Sequence, residues 1–308
     1  MFFNSEGGYM FAVAFLYICF TGTMFLNSLI MTTNHYPLFV AGARIFGSGV
    51  ILLSLYLSKH TNSVFGQIRQ LICWPFLKYT LCLYTISAVG FSWGMQYIDP
   101  VKACFLFVLS PFITALMLFA FYNEKLTKVK IYGLIIGFMA VIPIILESNH
   151  GQLSQIPWHL AAAGYVIFSC AIISFSYGWI LHKELFSIVH VSSSLLTGMA
   201  LTVGGAITLS IFAASHRHTI FTMQLTDSFW WLLLLFAILT AIAYNLYSSL
   251  LKRFSPTFVS FASFLEPAFG MLYASIFLGH TISYISLTAL VALGCGLYLF
   301  YQEELNSI

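Results

Sequence analysis

Apolar residues run along this chain in blocks separated by short polar breaks, and a helix needs roughly 20 such residues to cross the hydrocarbon of a bilayer. Ten blocks approach or exceed that length: residues 9–31, 38–57, 73–94, 100–122, 130–146, 158–181, 191–213, 229–251, 257–278 and 283–301. The pattern predicts an all-α integral membrane protein with ten transmembrane helices. No Lys or Arg precedes the first block and no small-residue cleavage site follows it, so it reads as a span and not as a removed signal peptide.

Composition agrees with the pattern. Of 308 residues, 60% are hydrophobic and 7% charged, whereas a soluble domain carries about 25% charged residues. The Lys and Arg residues then orient the spans, because short cytoplasmic loops hold the excess of them. With the N-terminus inside, Lys59, Arg69, Lys78, Lys125, Lys128, Lys130, Lys183, Lys252 and Arg253 fall at the cytoplasmic side, Lys102 and Arg217 fall outside, and Arg44 lies within the second span. Both termini are therefore expected in the cytoplasm, in what reads as a bacterial cytoplasmic (inner) membrane. The net charge of +3 is spread without interleaved aromatics, which excludes a nucleic-acid partner.

The six cysteines have no C-x-x-C spacing and are expected to be small buried hydrophobes. His216-Arg217-His218 reads as a solvated external loop and His182-Lys183-Glu184 as a cytoplasmic turn, so no metal site is expected. The chain has no G-x-x-x-x-G-K-[ST] loop for ATP. It also lacks the H-E-x-x-H helix of a zinc hydrolase. Neither a cofactor nor an enzymatic activity is expected. Gly90 to Gly94 and Gly133 to Gly137 have the spacing of close helix packing.

A shift of 156 residues lays the chain on itself. Asp99-Pro100 meets Ser255-Pro256, Ser110-Pro111-Phe112 meets Glu266-Pro267-Ala268, and Glu124-Lys125-Leu126-Thr127 meets His280-Thr281-Ile282-Ser283. Each half holds five spans, and an odd number makes the second half enter the membrane inverted, the plan of many secondary transporters. The expected units are residues 1–146 and 158–308, joined by an external linker over 147–157.

The motifs resemble the EamA-type branch of the drug/metabolite transporter superfamily. They include Pro111 leading through Tyr122-Asn123-Glu124-Lys125-Leu126-Thr127 to Gly133 and Gly137, and Glu266-Pro267 leading through Leu278-Gly279-His280-Thr281-Ile282-Ser283 to Gly294 and Gly296. Ala43-Arg44-Ile45-Phe46 is similar to that family's Arg-containing second span. Asn123 stands where the family turn has Gly, and His280 where it has Glu. The resemblance implies two five-helix repeats and export of amino-acid-like solutes.

An ionisable side chain near the bilayer centre costs about 3 kcal/mol or more. Glu266 reads as a proton-carrying carboxylate, a counter-charge for a cationic solute, or a structural carboxylate paired with a neighbouring helix. Its helical neighbours Ser263, Gly270 and Tyr273 make a small, polar face. Arg44 could bind a carboxylate or phosphate, pair with Glu266, or serve structure alone. Lys102 is expected to reach water at an outer span end. Pro111 and Pro267 each withdraw a donor from the carbonyl four residues earlier, Phe107 and Ser263, and so predict kinks beside a cavity. Tyr17, Thr21, Met24 and Ser28 form one stripe. Tyr165, Ser169 and Ser176 form a second, and Thr240, Tyr244 and Tyr247 a third; core packing competes with binding for each. Trp93, Gln96, Ser110 and Asn245 complete the candidate lining.

The expectation is a secondary transporter, exporter or exchanger, of a small organic metabolite, most simply amino-acid-like, with a coupling proton as a possible partner. The alternative is exchange of an adenosine-bearing solute such as S-adenosylmethionine for S-adenosylhomocysteine; a channel or structural membrane protein is the reading from another class. Oligomeric state is not legible from the residues.

Overall fold

The computed structural model describes residues 6–33, 36–59, 64–122, 127–146, 156–189, 191–216, 226–254, 256–279, 281 and 283–305. The linker over 147–155, the turn residues 123–126, and Arg217, His218, Ser255, His280 and Ile282 lie outside them. The described residues are helical throughout, without strands. The helices are α1 Glu6–Thr33, α2 Pro37–Leu57, α3 Val64–Gln70, α4 Trp74–Thr80, α5 Ser87–Gly94, α6 Pro100–Phe107, α7 Leu109–Tyr122 and α8 Lys128–Leu146. They continue as α9 Trp158–Ile188, α10 Ser193–Ser215, α11 Asp227–Leu250, α12 Pro256–Phe261, α13 Leu265–Leu278 and α14 Tyr284–Leu305.

Six segments of the described residues are long and apolar enough to cross a membrane: Phe11–Met31, Pro37–Leu57, Pro100–Tyr122, Trp158–Ile188, Ser193–Ser215 and Asp227–Leu250. The protein is a multi-pass membrane protein. Local chemistry sets several helix starts. Pro37 and Pro100 occupy first turns, where the missing N–H costs nothing. The Asp99 carboxylate accepts from the Val101 N–H at 2.9 Å, and the Ser192 and Thr226 hydroxyls accept from Leu195 and Phe229. At the other end of α13, Gly279 closes the helix in the left-handed region, φ 65°.

A π-helical turn, Leu81–Ile86, joins α4 to α5 without a break. The widened turn sets Tyr79 and Tyr84 hydroxyl to hydroxyl at 2.8 Å and leaves the Cys82 carbonyl to accept from Ser174 of α9 at 2.7 Å. The prolines interrupt their helices as their chemistry requires. α6 gives way to α7 at Val108, and α12 passes through a 3-10 turn, Ala262–Phe264, before α13.

Packing pairs α2 with α10, α8 with α14, α5 with α9, α1 with α11, α1 with α13, α7 with α9, and α6 with α13. Small residues set the closest approaches. A Cβ on Gly178 would lie 2.6 Å from the Leu83 Cβ, and one on Gly296 would lie 3.0 Å from the Gly133 carbonyl oxygen.

The structure departs from the sequence reading in four places. Cys170 and Cys295 are exposed where burial was expected; only Cys19 and Cys104 are buried, and Cys73 and Cys82 are intermediate. In a bilayer protein an apolar residue is equally at home on the outer helix face, so hydropathy cannot assign it inward. His182 is not in a turn: α9 runs on to Ile188, and its side chain is buried, with Nε2 2.9 Å from the Ser248 hydroxyl. Lys102 is buried, because the first turn of α6 is enclosed by α1 and α13. Val64–Gln70, expected as a connection, is a short helix.

Candidate functional site

Inside the bundle, Phe20, Thr23, Met24 and Asn27 of α1 face Arg44 of α2, Phe91 of α5, Phe107 of α6, Phe175 of α9 and Tyr244 of α11 around an enclosed cavity. Positions 20, 23, 24 and 27 share one helical face, which is why α1 supplies so much of the wall. The cavity offers about 10 Å³ to water centres, room for roughly one water molecule.

Its walls are aromatic. Phe107 and Phe175 meet edge to face at 5.0 Å, Phe20 and Tyr244 at 5.5 Å. From there rings continue toward the C-terminal end of α9. Trp179 stacks on Tyr247 at 3.8 Å, Tyr84 lies 5.1 Å from Tyr244, and Tyr79 lies 5.0 Å from His182. Aromatic faces in such a column accept planar solutes and cations alike.

The polar groups are few and short of partners. The Arg44 guanidinium lies over the Phe236 ring, 4.5 Å from its centroid, and its Nε and Nη2 make no hydrogen bond. Asn27 Oδ1 is likewise unpartnered. Buried polar groups are normally satisfied, so a guanidinium and a carboxamide left free at one cavity are groups in wait of a ligand. The guanidinium suits a carboxylate, which takes paired donors from an Arg fork, and the Asn27 oxygen, an acceptor, suits a donor such as an ammonium.

Glu266 sits apart from this cavity. Fully buried at the start of α13, it has both carboxyl oxygens without a partner, and the Ser263 hydroxyl one turn earlier is also free. Tyr17 and Tyr247 come within its electrostatic reach, and Phe20, which lines the cavity, contacts both of their rings at 6.0 and 6.1 Å. Phe20 thus links both tyrosines to the cavity wall. The Tyr17 hydroxyl is not spent on it, but donates to the Val259 carbonyl at 2.6 Å. Ser110 holds the corresponding place before Pro111, and there the hydroxyl is satisfied by Ser176 at 2.9 Å.

The structure brings Arg44, Phe107 and Tyr244 to the cavity, with Tyr17 against its Phe20 wall, and leaves Ser263 and Glu266 off its lining. It does not pair Arg44 with Glu266. Arg44, on α2, lies over Phe236 of α11, and both Glu266 oxygens are without a partner. Trp93 stands 46% exposed on a face away from the cavity, as its spacing of two from the inward Phe91 requires. Gln96 is partly buried, its Nε2 4.0 Å from the Met31 sulfur. Ser169 is partly exposed on α9, and Asn245 turns aside from its neighbour Tyr244 with Oδ1 unpartnered. Neither lines the cavity, and Ser110 is engaged with Ser176. Asn27, Thr23, Phe20, Phe91 and Phe175 did not stand out in the sequence. An uncharged amide inside the first span, on the face of Phe20 and Met24, was the available signal.

The sequence profile of the EamA-like transporter family matches residues 8–146 and 162–302. Among named relatives, an S-adenosylmethionine/S-adenosylhomocysteine transporter of Chlamydia muridarum is 28% identical over 91% of this chain and 91% of its own length. One of the same description from Chlamydia trachomatis serovar L2 is 26% identical over 91% and 88%. A "Probable amino-acid metabolite efflux pump" of Salmonella typhimurium is 27% identical over 61% of this chain and 62% of its own. A solved structure, described as "Crystal structure of protein", superposes with a TM-score of 0.65 over 92% of this chain and 94% of its own at 16% identity, a likeness of fold alone. Matched by that profile through both halves, this chain belongs to the EamA-like transporter family.

Proposed function

We propose that the chain is a secondary transporter that exchanges a small metabolite bearing an amino-acid group and a planar aromatic group, of the S-adenosylmethionine/S-adenosylhomocysteine class. The observation that carries this reading is the pairing of an unpartnered Arg44 guanidinium with an aromatic cavity, in a bundle that also buries an unpartnered Glu266 carboxyl. Arg44 takes the carboxylate, the Asn27 Oδ1 accepts from the ammonium, the ring faces of Phe20, Phe175 and Tyr244 take the base, and Glu266 answers positive charge. The relatives described as S-adenosylmethionine/S-adenosylhomocysteine transporters match over nearly their full length, which supports the same class here.

A space of about 10 Å³ is far too small for such a solute. Loading therefore requires the ring walls to part, as an alternating-access cycle does. The helix pairings support two inverted five-span units, residues 1–146 and 158–308. Counting α4–α5, α6–α7 and α12–α13 as single spans gives ten, and α5–α9 then corresponds to α11–α1 and α7–α9 to α13–α1, while α2–α10 and α8–α14 each map onto themselves. The basic residues place both termini in the cytoplasm of a bacterial inner membrane. Transport rather than catalysis is the activity its relatives support.

Counterflow into proteoliposomes tests the reading. Internal S-adenosylhomocysteine is expected to accelerate saturable uptake of labelled S-adenosylmethionine. Acceleration by free amino acids alone would move the assignment to the second reading, amino-acid metabolite efflux, which the Salmonella relative favours. A flux that is neither saturable nor accelerated would mark a channel.

A further inference from the structure

Glu266 is the most costly group in the fold without a partner. A carboxylate at that depth needs a compensating positive charge or a proton, at a cost of about 3 kcal/mol or more without either. Among the described residues, Tyr17 of α1, Cys104 of α6 and Tyr247 of α11 interact electrostatically with it. Cys19 of α1 faces Tyr273 farther along α13, and Asp99 and Lys102 lie toward the start of α6. None of the three that reach Glu266 is a base.

The Ser263 hydroxyl is free, and the Ser263 carbonyl has lost its α-helical donor to Pro267, which carries no N–H. At the matching position of the first half, the Ser110–Ser176 hydroxyl pair closes on itself. The second half therefore holds an open, acidic seat where the first holds a satisfied, neutral one.

We infer that this seat, built from Glu266 and the Ser263 hydroxyl, exchanges one positive charge during transport: a proton when the cargo's sulfur is neutral, the cargo's sulfonium when it is charged. The inference rests on the cargo class proposed above. Its balance is simple. S-adenosylmethionine binding to the protonated carboxyl leaves a sulfonium–carboxylate pair and releases one proton to solvent. S-adenosylhomocysteine, a thioether, binds with the proton retained. One sulfonium travelling one way against one thioether plus one proton travelling the other moves no net charge.

Calorimetric titration of the purified full-length chain with each solute, in buffers of differing ionisation heat, counts the protons. S-adenosylmethionine is expected to displace about one proton and S-adenosylhomocysteine about none. Glu266→Gln should abolish that displacement and weaken S-adenosylmethionine at least about tenfold more than S-adenosylhomocysteine, since it strips one partner from a buried charge pair. Glu266→Asp should keep the displacement. Equal proton counts for the two solutes in the unaltered protein overturn the seat while leaving the cargo class standing, as does a displacement that survives in Glu266→Gln. Failure of both solutes to bind the unaltered protein overturns the seat and the cargo class together.

Discussion

At Arg44, one guanidinium face rests on Phe236 while two nitrogens find no acceptor. Arg44→Ala should therefore weaken carboxylate-bearing solutes at least about tenfold relative to their amide counterparts, as loss of a charge-assisted fork does. Arg44→Lys should recover only part of it, since an ammonium is a point charge without the fork. Inhibition of counterflow by paired acids and amides measures this, and equal loss across the pair would make Arg44 structural. Asn27 is the companion case. Asn27→Leu keeps the bulk of the side chain but removes a carboxamide whose oxygen is free at the cavity, and should lower solute affinity about fivefold, roughly one hydrogen bond's net worth. Ligand-dependent thermal shift reads it; an unchanged shift would return Asn27 to packing. The expense of charge in hydrocarbon made Arg44 and Glu266 legible in the sequence. Asn27 was not, because a neutral amide among hydroxyls carries no such signal.

Helix contacts and breaks are decided one scale up. Gly178 of α9 lets the π-helical turn lie against it, the Leu83 Cβ falling 2.6 Å from where a side chain would begin. Gly178→Val should cost about 1–3 kcal/mol through overpacking and lower the melting temperature in detergent without a change in the solute order of preference. Pro267 shapes the other element that matters. Pro267→Ala returns a donor to the Ser263 carbonyl and should straighten the α12–α13 join, raising thermal stability while slowing exchange. Faster exchange at unchanged stability would contradict a role for the break. Both breaks followed from the prolines, since the lost donor is written in the residue. The π-helical turn between Thr80 and Ser87 was not legible, because it depends on Ser174 reaching the Cys82 carbonyl from a helix ninety residues away.

For the molecule as a whole, sidedness is the property that the proposed ten-span topology fixes. Single cysteines placed at Lys59 and Arg253, in a chain cleared of its own six, should react with an impermeant maleimide only after the cytoplasmic face is opened. Ser215→Cys, at the end of α10, should react from outside. Labelling of all three from one side would break the ten-span count. In the proposed two-unit arrangement, the packing of α2 on α10 and of α8 on α14 joins the units, and the alternating-access reading assigns movement to the remaining helices around the aromatic column.

Hydropathy blocks were enough to indicate a multi-pass membrane bundle and its costly buried charges, because the bilayer penalises polar groups residue by residue. Which face of each helix looks inward was decided only in three dimensions. Apolar residues suit both lipid and core, so Trp93 went outward and Phe91 inward on the same helix. Tertiary structure also decided that Arg44 and Glu266 do not pair, each keeping unpartnered atoms, since only helix packing sets which side chains can meet.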